Sequence, residues 1–296
     1  MELKSFTRKI FCCAVFAASG LTADAAIDVS RLMIVGGSVW CGYSIDNSIV
    51  LSDAGNTGRY KATVYISNEG DGFKFLTYAG WGGELCPESN DIAMESGVEY
   101  KLCVNNGADN KFKVKESANY DIVCDVENEI ITVTKAAYQE KNIKYTGLWI
   151  VGGATPGGWS ISDGIAMTQD DANPFKFTAT VDLNAGELKF AINNHTGFDQ
   201  TFFVRDIADD GKMVFGGDDN KWTIDEAGKY DIAVDVDALT VSIKKSTASA
   251  IGSVEAADDN AHAEYFTLGG VKANSVKAGD VYVKRLGGKT VKVVAQ

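Results

Sequence analysis

Apolar and polar positions alternate along short stretches of this chain, and turn residues separate the stretches. Phe175–Leu183 and Tyr230–Val236 both alternate in this way and are rich in Val and Thr, a pattern typical of β-strands with one buried face. Turns at Ala227-Gly228 and Asp237-Ala238 predict that the last three strands of this region form an antiparallel meander. No helical periodicity with caps occurs in residues 27–245. The pattern therefore predicts an all-β protein built from β-sandwiches.

The strand pattern occurs twice in the same order. Self-similarity of this kind indicates a tandem duplication, so two β-sandwich domains are predicted. The matched segments are LMIVGGSVWCGYSI at 32–45 with LWIVGGATPGGWSI at 148–161, GFKF at 72–75 with ELKF at 187–190, and the DNK-containing segments at 109–133 and 219–243.

The ends of the chain differ from the repeats. A basic start, the apolar run Ile10–Ala18 and the small residues Ala23-Asp24-Ala25 predict a secretory signal peptide and hence export, to the cell surface or into the medium. Cys12 and Cys13 lack the Leu-small-small-Cys arrangement of a lipoprotein site, so the mode of surface retention stays open. The predicted parts are a signal peptide at 1–26, domain 1 at 27–137, a linker at 138–144, domain 2 at 145–245, a linker at 246–263 and a small C-terminal β segment at 264–296.

Composition excludes several functions. The 296-residue chain has a net charge of −12, which argues against nucleic acid as a partner because phosphate binding needs clustered Lys and Arg. Adjacent acids at Asp170-Asp171, Asp209-Asp210 and Asp218-Asp219 are the available pairs for glycoside cleavage. Such neighbours usually face opposite ways in turns, so we predict no enzyme. Neither a metal site nor a cofactor is expected.

Four cysteines follow the predicted signal peptide, and all lie in the first repeat. An exported domain with an even number of cysteines can hold disulfides. Cys41 and Cys86 lie in Gly-rich loops, whereas Cys103 and Cys124 lie in predicted strands. We therefore favour Cys41–Cys86 and Cys103–Cys124 among the three possible pairings.

The second repeat resembles a known family. Its IVGGATPGGW segment, its ELKF strand and its DDNKW…AGKYDIAVDV segment are similar to the starch-binding domains of the SusE and SusF outer-membrane proteins of gut Bacteroidetes. The resemblance extends over roughly residues 30–245, and the tail at 264–296 is similar to C-terminal segments of exported Bacteroidetes proteins, including type IX secretion sorting domains. The sequence departs from the family pattern in two ways, since it shows no lipobox cysteine and no evident extra N-terminal Ig-like domain.

The resemblance implies two Ig-like β-sandwich carbohydrate-binding domains that bind α-glucan polysaccharide or oligosaccharide without catalysis. It also implies outer-membrane glycan-uptake proteins as partners. The alternative from a different functional class is a structural or adhesive surface protein, whose sandwiches bind another glycan or a protein.

A sugar-binding site needs an exposed aromatic ring, together with donors and acceptors for hydroxyl groups. Trp159 follows Pro156-Gly157-Gly158 in a loop, so we expect it to stack on a sugar. Lys189 alternates with the apolar residues of ELKF and is expected to point away from the core. The resemblance implies that Lys189 and Asn220 complete the carbohydrate-binding site.

The first repeat offers matching candidates. Lys74 and Asn110 occupy the positions of the lysine and the asparagine. Trp40 is the expected counterpart of the loop tryptophan, with Tyr43 as a competitor because the alignment gap there is ambiguous. Trp81 lies in a Gly-rich loop and is expected to widen this site.

Two further tryptophans have a competing structural explanation. Trp222 is a candidate for a second stacking ring, but it shares strand parity with Ile224 and corresponds to Phe112 in the first repeat, which favours the core. Trp149 is replaced by Met33 in the first repeat and is expected to be structural.

Overall fold

The computed structural model describes residues 27, 31–90, 92–246, 264–286 and 289–295. The predicted signal peptide and nearly all of the second predicted linker lie outside these residues. Every regular element within them is a β-strand, which confirms the all-β prediction. No helix in this part of the chain has the length and apolar character needed to cross a membrane.

The first repeat contains two main sheets. One has the order β2-β1-β4-β5-β8 and the other the order β3-β10-β11-β7, while β6 and β9 form a separate parallel pair. The strands are β1 Met33–Val35, β2 Ile49–Val50, β3 Arg59–Ile66, β4 Lys74–Leu76, β5 Glu84–Cys86, β6 Ile92–Met94, β7 Glu99–Lys101, β8 Cys103–Val104, β9 Phe112–Val114, β10 Ala118–Asp125 and β11 Ile130–Lys135.

The second repeat has a similar plan, although the edge strand β14 lies beside β15, the counterpart of β3, whereas β7 lies beside β11. One sheet has the order β13-β12-β16-β17-β18, with β19 also paired to β16, and the other has the order β14-β15-β20-β21. The strands are β12 Trp149–Val151, β13 Ile165–Ala166, β14 Thr168–Gln169, β15 Lys176–Leu183, β16 Gly186–Ala191, β17 Phe202–Arg205, β18 Met213–Phe215, β19 Trp222–Ile224, β20 Gly228–Asp235 and β21 Thr240–Lys245.

Alternating side chains of the facing sheets form one apolar core in each repeat. In the second repeat, Phe177, Phe190 and Ile232 belong to one buried cluster that contains residues from both sheets. Phe75 and Ile122 belong to the equivalent cluster in the first repeat. This packing of two sheets through one layer of side chains is the β-sandwich predicted from the alternation.

The predicted meander is wrong in one respect. β20 and β21 are antiparallel neighbours as expected, but β19 pairs with β16 of the other sheet rather than with β20. The chain therefore crosses between the sheets at Asp225–Ala227. This crossing places the buried Trp222 beside Phe190, with ring centroids 5.2 Å apart.

A small sheet forms the C-terminal part of the described chain. Strand β23, Val281–Leu286, lies between β22, Glu264–Phe266, and β24, Lys289–Val294, and both pairings are antiparallel. Tyr282 is buried against Tyr265. The resemblance of this segment to a sorting domain stays a prediction, as do the domain boundaries.

The two repeats contact each other directly, and Trp40 lies at this junction. Its indole N–H donates a 2.6 Å hydrogen bond to the carbonyl of Lys144, and its ring packs on Tyr145 and Phe215 of the second repeat at 5.2 and 5.9 Å. The ring also contacts the apolar cores of both repeats. Trp40 therefore connects the repeats, which corrects the expectation that it stacks on a sugar.

Other polar contacts fix the same junction. The Asn193 amide donates 2.8 Å to the carbonyl of Asp46, and the main-chain N–H of Thr201 donates 2.8 Å to Asn47 Oδ1. The buried amide of Asn119, on β10, donates to the carbonyls of Tyr138 and Lys141 in the segment that connects the repeats. The segment between the repeats is consequently bonded along its length to the first repeat.

All four described cysteines are free thiols, so the favoured pairings Cys41–Cys86 and Cys103–Cys124 are not formed. Cys124 lies in the apolar core, and Cys41 Sγ contacts the carbonyl of Ile34 at 3.6 Å. Cys86 instead lies directly opposite Cys103 on the neighbouring strand. Grouping the cysteines by loop and strand failed because loop membership does not specify which strands become neighbours.

We predict that Trp40→Ala weakens the junction by about 2 kcal/mol, since a half-buried indole loses both its packing and a hydrogen bond. The exposed Trp81→Ala serves as the matched control and should change stability by less than about 0.5 kcal/mol. Urea unfolding followed by circular dichroism measures both. Equal midpoints for the two variants would contradict the junction role of Trp40.

We predict that Cys86 and Cys103 are the first pair to link in oxidised glutathione. Directly opposed antiparallel residues have Cα atoms about 4.5–5.5 Å apart, which suits a disulfide. Two protein thiols and one glutathione disulfide would give one protein disulfide and two glutathione thiols. Burial raises the pKa of the Cys86 thiol to about 11, so the reaction should accelerate from pH 7.5 to 9.5 as thiolate forms.

Peptide mapping by mass spectrometry identifies the linked residues. Cys86→Ser should abolish the link while leaving the buried Cys124 unmodified. A dominant Cys41–Cys86 or Cys103–Cys124 peptide would overturn the pairing read from the strand register.

Candidate functional site

The loop after the first strand of each repeat is held by a pair of glycines. Gly152 has φ of 144°, and a Cβ there would lie 2.2 Å from the carbonyl oxygen of Glu187 on the neighbouring strand. Gly36 has φ of 146° and the same conflict with Gly72 at 2.3 Å. Only glycine permits this approach, which explains the repeated IVGG sequence.

The same loops identify which aromatic residues correspond. The Gly152 N–H donates 2.9 Å to the carbonyl of Gly158, and the Gly36 N–H donates 2.7 Å to the carbonyl of Gly42. Gly158 and Gly42 share a left-handed conformation, with φ of 58° and 57°. The residues that follow are Trp159 and Tyr43. Tyr43, rather than Trp40, is therefore the structural counterpart of Trp159.

Lys189 forms the floor of the site in the second repeat. Strand pairing places it opposite Val151, and its side chain lies on the outer face of the sheet, away from the main core. It is only 4% exposed because aromatic rings cover it: Nζ lies 3.8 Å from the ring centroid of Phe202, 5.4 Å from Phe198 and 5.9 Å from Trp159.

Asp219 completes this group. Its Oδ1 accepts a 2.8 Å hydrogen bond from Lys189 Nζ, and its Oδ2 lies 2.9 Å from Lys221 Nζ. Lys221 Nζ also lies 5.7 Å from the Trp159 ring centroid. Two ammonium groups, one exposed carboxylate and a half-buried indole thus converge at the surface.

The first repeat reproduces the group with different aromatics. Lys74 Nζ donates 2.7 Å to Asp109 Oδ1, and Lys111 Nζ lies 2.8 Å from Asp109 Oδ2. Trp81 lies 4.9 Å from Lys74 Nζ, and Tyr43 lies 5.9 Å from Lys111 Nζ. The rings of Tyr43 and Trp81 are 6.4 Å apart at 45°, and both are more than a third exposed.

Electrostatic pairing keeps both central carboxylates ionised. Hydrogen bonds from Lys111 and Lys74 lower the pKa of Asp109. At Asp219, burial acts to raise the pKa, but hydrogen bonds from Lys189 and Lys221 outweigh it and the pKa is lowered. Each site therefore presents an acceptor and charged donors beside an aromatic surface.

Two of the residues predicted to bind carbohydrate have structural roles instead. Trp222 is 5% exposed and donates its indole N–H 2.9 Å to the carbonyl of Asp210, so it belongs to the core and not to a stacking surface. Asn110 is 8% exposed, and its amide donates to the carbonyls of Pro87 and Glu88 at 3.2 and 3.3 Å. These two bonds hold the loop after β5.

Asn220 lies beside the site, in the turn that positions Asp219. Its main-chain carbonyl accepts a 3.1 Å bond from the Arg205 N–H, and its own N–H donates 2.7 Å to Asp218. Its side chain is half-buried, and its role in carbohydrate binding stays a prediction.

Sequence reasoning missed Lys221, Lys111, Phe198 and the two central aspartates. The DNK turns carried a signal, because the Asp and the Lys of this tripeptide are present in both repeats. Phe198 has no such signal, since the loops that contain it and Trp81 do not align. Phe198 is 54% exposed and stacks obliquely on Phe202, with centroids 5.9 Å apart.

The geometry suits a neutral polyhydroxylated ligand. An aromatic face covers apolar C–H groups, while Lys and Asp side chains donate to and accept from hydroxyl groups. Among the described residues, no group of three or more His, Cys, Asp or Glu side chains could hold a metal ion. Asp210 is paired with Arg205 at 2.7 Å and Asp209 binds the Gly211 N–H at 2.9 Å.

Comparison with known proteins agrees with this chemistry. Residues 147–244 match the family described as SusF/SusE starch-specific CBMs, where CBM denotes a carbohydrate-binding module. No curated protein matches the chain. A solved structure of SusF from Bacteroides thetaiotaomicron is similar at 14% identity and a TM-score of 0.30, over 90% of this chain and 56% of that chain.

The chain thus spans little more than half the length of that structure. Modules of the matched family bind carbohydrate and do not cleave it, which agrees with the expectation that this protein is not an enzyme. Residues 147–244 of the 296-residue chain are therefore similar to the SusF/SusE starch-specific carbohydrate-binding modules.

Proposed function

We propose that this protein binds starch-like α-glucan through two equivalent surface sites, one in each repeat. The observation that supports this most is the repeated group of two lysines around one aspartate beside exposed or half-buried aromatic rings. The sites comprise Trp159, Lys189, Lys221 and Asp219 in the second repeat and Tyr43, Trp81, Lys74, Lys111 and Asp109 in the first.

Each class of side chain has a separate role in binding. Trp159, or Tyr43 with Trp81, stacks on the apolar face of a glucose ring. The exposed aspartate accepts hydrogen bonds from hydroxyl groups, and Lys221 or Lys111 donates to them. Lys189 and Lys74 are nearly covered, so they mainly orient the aspartate and donate through their remaining N–H groups.

Two weak sites on one chain raise the overall affinity for a polymer because the second contact is intramolecular. Export to the outer membrane or cell surface, with glycan-uptake proteins as partners, is the setting that fits such a role. The export is inferred from the predicted signal peptide at residues 1–26, and these partners are inferred from the sequence resemblance.

The second-repeat site can be tested in the full chain after Tyr43→Ala and Trp81→Ala disable the first site. In this background, Trp159→Ala should weaken binding at least tenfold, or about 1.4 kcal/mol, because the stacking surface is lost. Affinity electrophoresis through gels containing amylopectin measures the effect as a loss of retardation.

Leu239→Ala is the matched control, since it truncates an exposed apolar side chain in the β20–β21 turn of the other sheet. This variant should stay retarded. If Trp159→Ala is retarded as strongly as the control, the stacking assignment is wrong. If the unmodified protein migrates equally with and without amylopectin, starch-like glucan is not its ligand.

A further inference from the structure

The two repeats differ in one connection between neighbouring strands of the same sheet. In the first repeat, residues 87–102 connect β5 to β8 and contain the short strands β6 and β7. In the second repeat, the equivalent strands β17 and β18 are connected by the shorter segment 206–212. Among the described strands, β6 is paired with β9, whereas β19, the counterpart of β9, pairs only with β16. One edge of β19 is therefore open where the edge of β9 is covered.

The longer connection closes this edge of the sandwich in the first repeat. Strand β6 runs parallel to β9, and Met94, opposite Val114, is 2% exposed and belongs to the apolar core. Further along, the Gly97 N–H donates a 2.7 Å hydrogen bond to the carbonyl of Val133 on β11. Residues 92–97 therefore cover the gap between β9 and β11, which belong to different sheets.

The equivalent gap in the second repeat, between β19 and β21, is an open groove. It has a volume of about 680 Å³, and its apolar lining includes Trp222, Ile224 and Ile243. A volume of this size lies within the range of about 300–1,000 Å³ common for ligand pockets. Ile243 is only partly buried, whereas its counterpart Val133 is completely covered in the first repeat. The groove thus exposes apolar surface that the first repeat buries.

Main-chain hydrogen-bonding groups also face the groove. The carbonyl of Glu187 accepts a 3.0 Å bond from the Ala154 N–H, so it points away from β19. Because Thr223 lies opposite Glu187, these two residues form a non-hydrogen-bonded pair, and the N–H and carbonyl of Thr223 point to the open side. The counterpart of Thr223 is Lys113, which lies opposite Ala93 of β6. An open strand edge of this kind is a template for one more strand.

The charge beside the groove is the reverse of that in the first repeat. There, Glu95 of the covering segment forms an ion pair with Lys115, which directly follows β9. The residue that directly follows β19 is Asp225, which is exposed and lines the groove. The other two carboxylates of the lining, Asp210 and Glu226, are ion-paired with an arginine and a lysine. A segment that fits this groove therefore needs a basic residue where the first repeat has Glu95.

We propose that the groove beside β19 binds an extended segment of a partner protein, which adds to β19 as a parallel strand in the way that β6 adds to β9. The segment carries an apolar residue in the place of Met94 and a lysine or arginine directly after it. Main-chain bonds to Thr223 supply affinity, and the apolar groove and Asp225 supply specificity. This interaction surface is independent of the proposed function, since none of its residues belongs to either glucan site.

The test uses the full chain and two fluorescein-labelled peptides, with fluorescence anisotropy as the measurement. One peptide is SNDIAMESGV, the sequence of residues 89–98, and the other is the same peptide with Glu95→Lys. The unmodified protein should bind the Glu95→Lys peptide about fivefold more tightly, because Asp225 attracts a lysine and repels a glutamate. Asp225→Lys in the protein should reverse this preference.

Matched variants separate strand addition from a general effect of charge. Glu127→Lys makes the same charge change in an exposed turn of the first repeat and should leave the original preference intact. Thr223→Pro removes the N–H that faces the groove and should weaken binding of the Glu95→Lys peptide about tenfold, since proline is tolerated on a strand edge but cannot donate. Thr223→Val keeps that N–H and should bind like the unmodified protein. Thermal unfolding followed by circular dichroism checks that each variant is folded.

The proposal is overturned if the unmodified protein binds neither peptide, or if it binds both with equal affinity. A preference that Asp225→Lys leaves unchanged overturns it as well. If Thr223→Pro does not fold, the reversal by Asp225→Lys still decides the question, because that substitution lies at an exposed position.

Discussion

A lysine ammonium on the outer face of a sheet is the constraint on which the site depends. Lys189 and Lys74 are 4% and 5% exposed, and a buried charge is tolerated only when it is paired and hydrogen-bonded. Asp219 and Asp109 provide the pairing, and aromatic rings provide a covering that attracts a cation. The aromatic surface that suits a sugar is therefore also what allows the lysine to be buried.

This dependence explains why two divergent repeats retain the same arrangement. Strand register places Lys74 opposite Val35 and Lys189 opposite Val151, so the lysine keeps its place as long as the strands pair. Some of the covering rings come from loops of different length, Trp81 in one repeat and Phe198 in the other, while Phe202 of β17 lies nearest to Lys189. Both copies have the same charged residues, two lysines and one aspartate. The aromatic residues that cover the buried lysine differ between the copies, although they play the same structural part.

How far the sequence predicts these features depends on where each residue lies. Lys189 and Lys74 follow from strand alternation, and Trp159 follows from its turn-rich loop. Trp40 and Tyr43 could not be separated, because the distinction depends on the Gly36–Gly42 hydrogen bond that closes the loop. Asn110 and Cys86 were misassigned since their partners are distant in sequence and become neighbours only through sheet pairing.

The position of Trp40 shows that the equivalent loops of the two repeats have different roles. In the second repeat the equivalent loop position is Pro156, one of the residues that position Trp159, whereas in the first repeat it is an indole that packs into both cores. A loop that carries the proposed stacking residue in one copy thus joins the copies in the other. Because the junction is bonded through side chains and main chain, the separation of the two sites is set by packing rather than by a flexible linker. When the separation of the two sites is fixed, the effective concentration of a bound glycan at the second site depends on how well its shape spans that separation. A rigid pair of sites would therefore select among glycans by curvature, which a pair of freely tethered sites could not do.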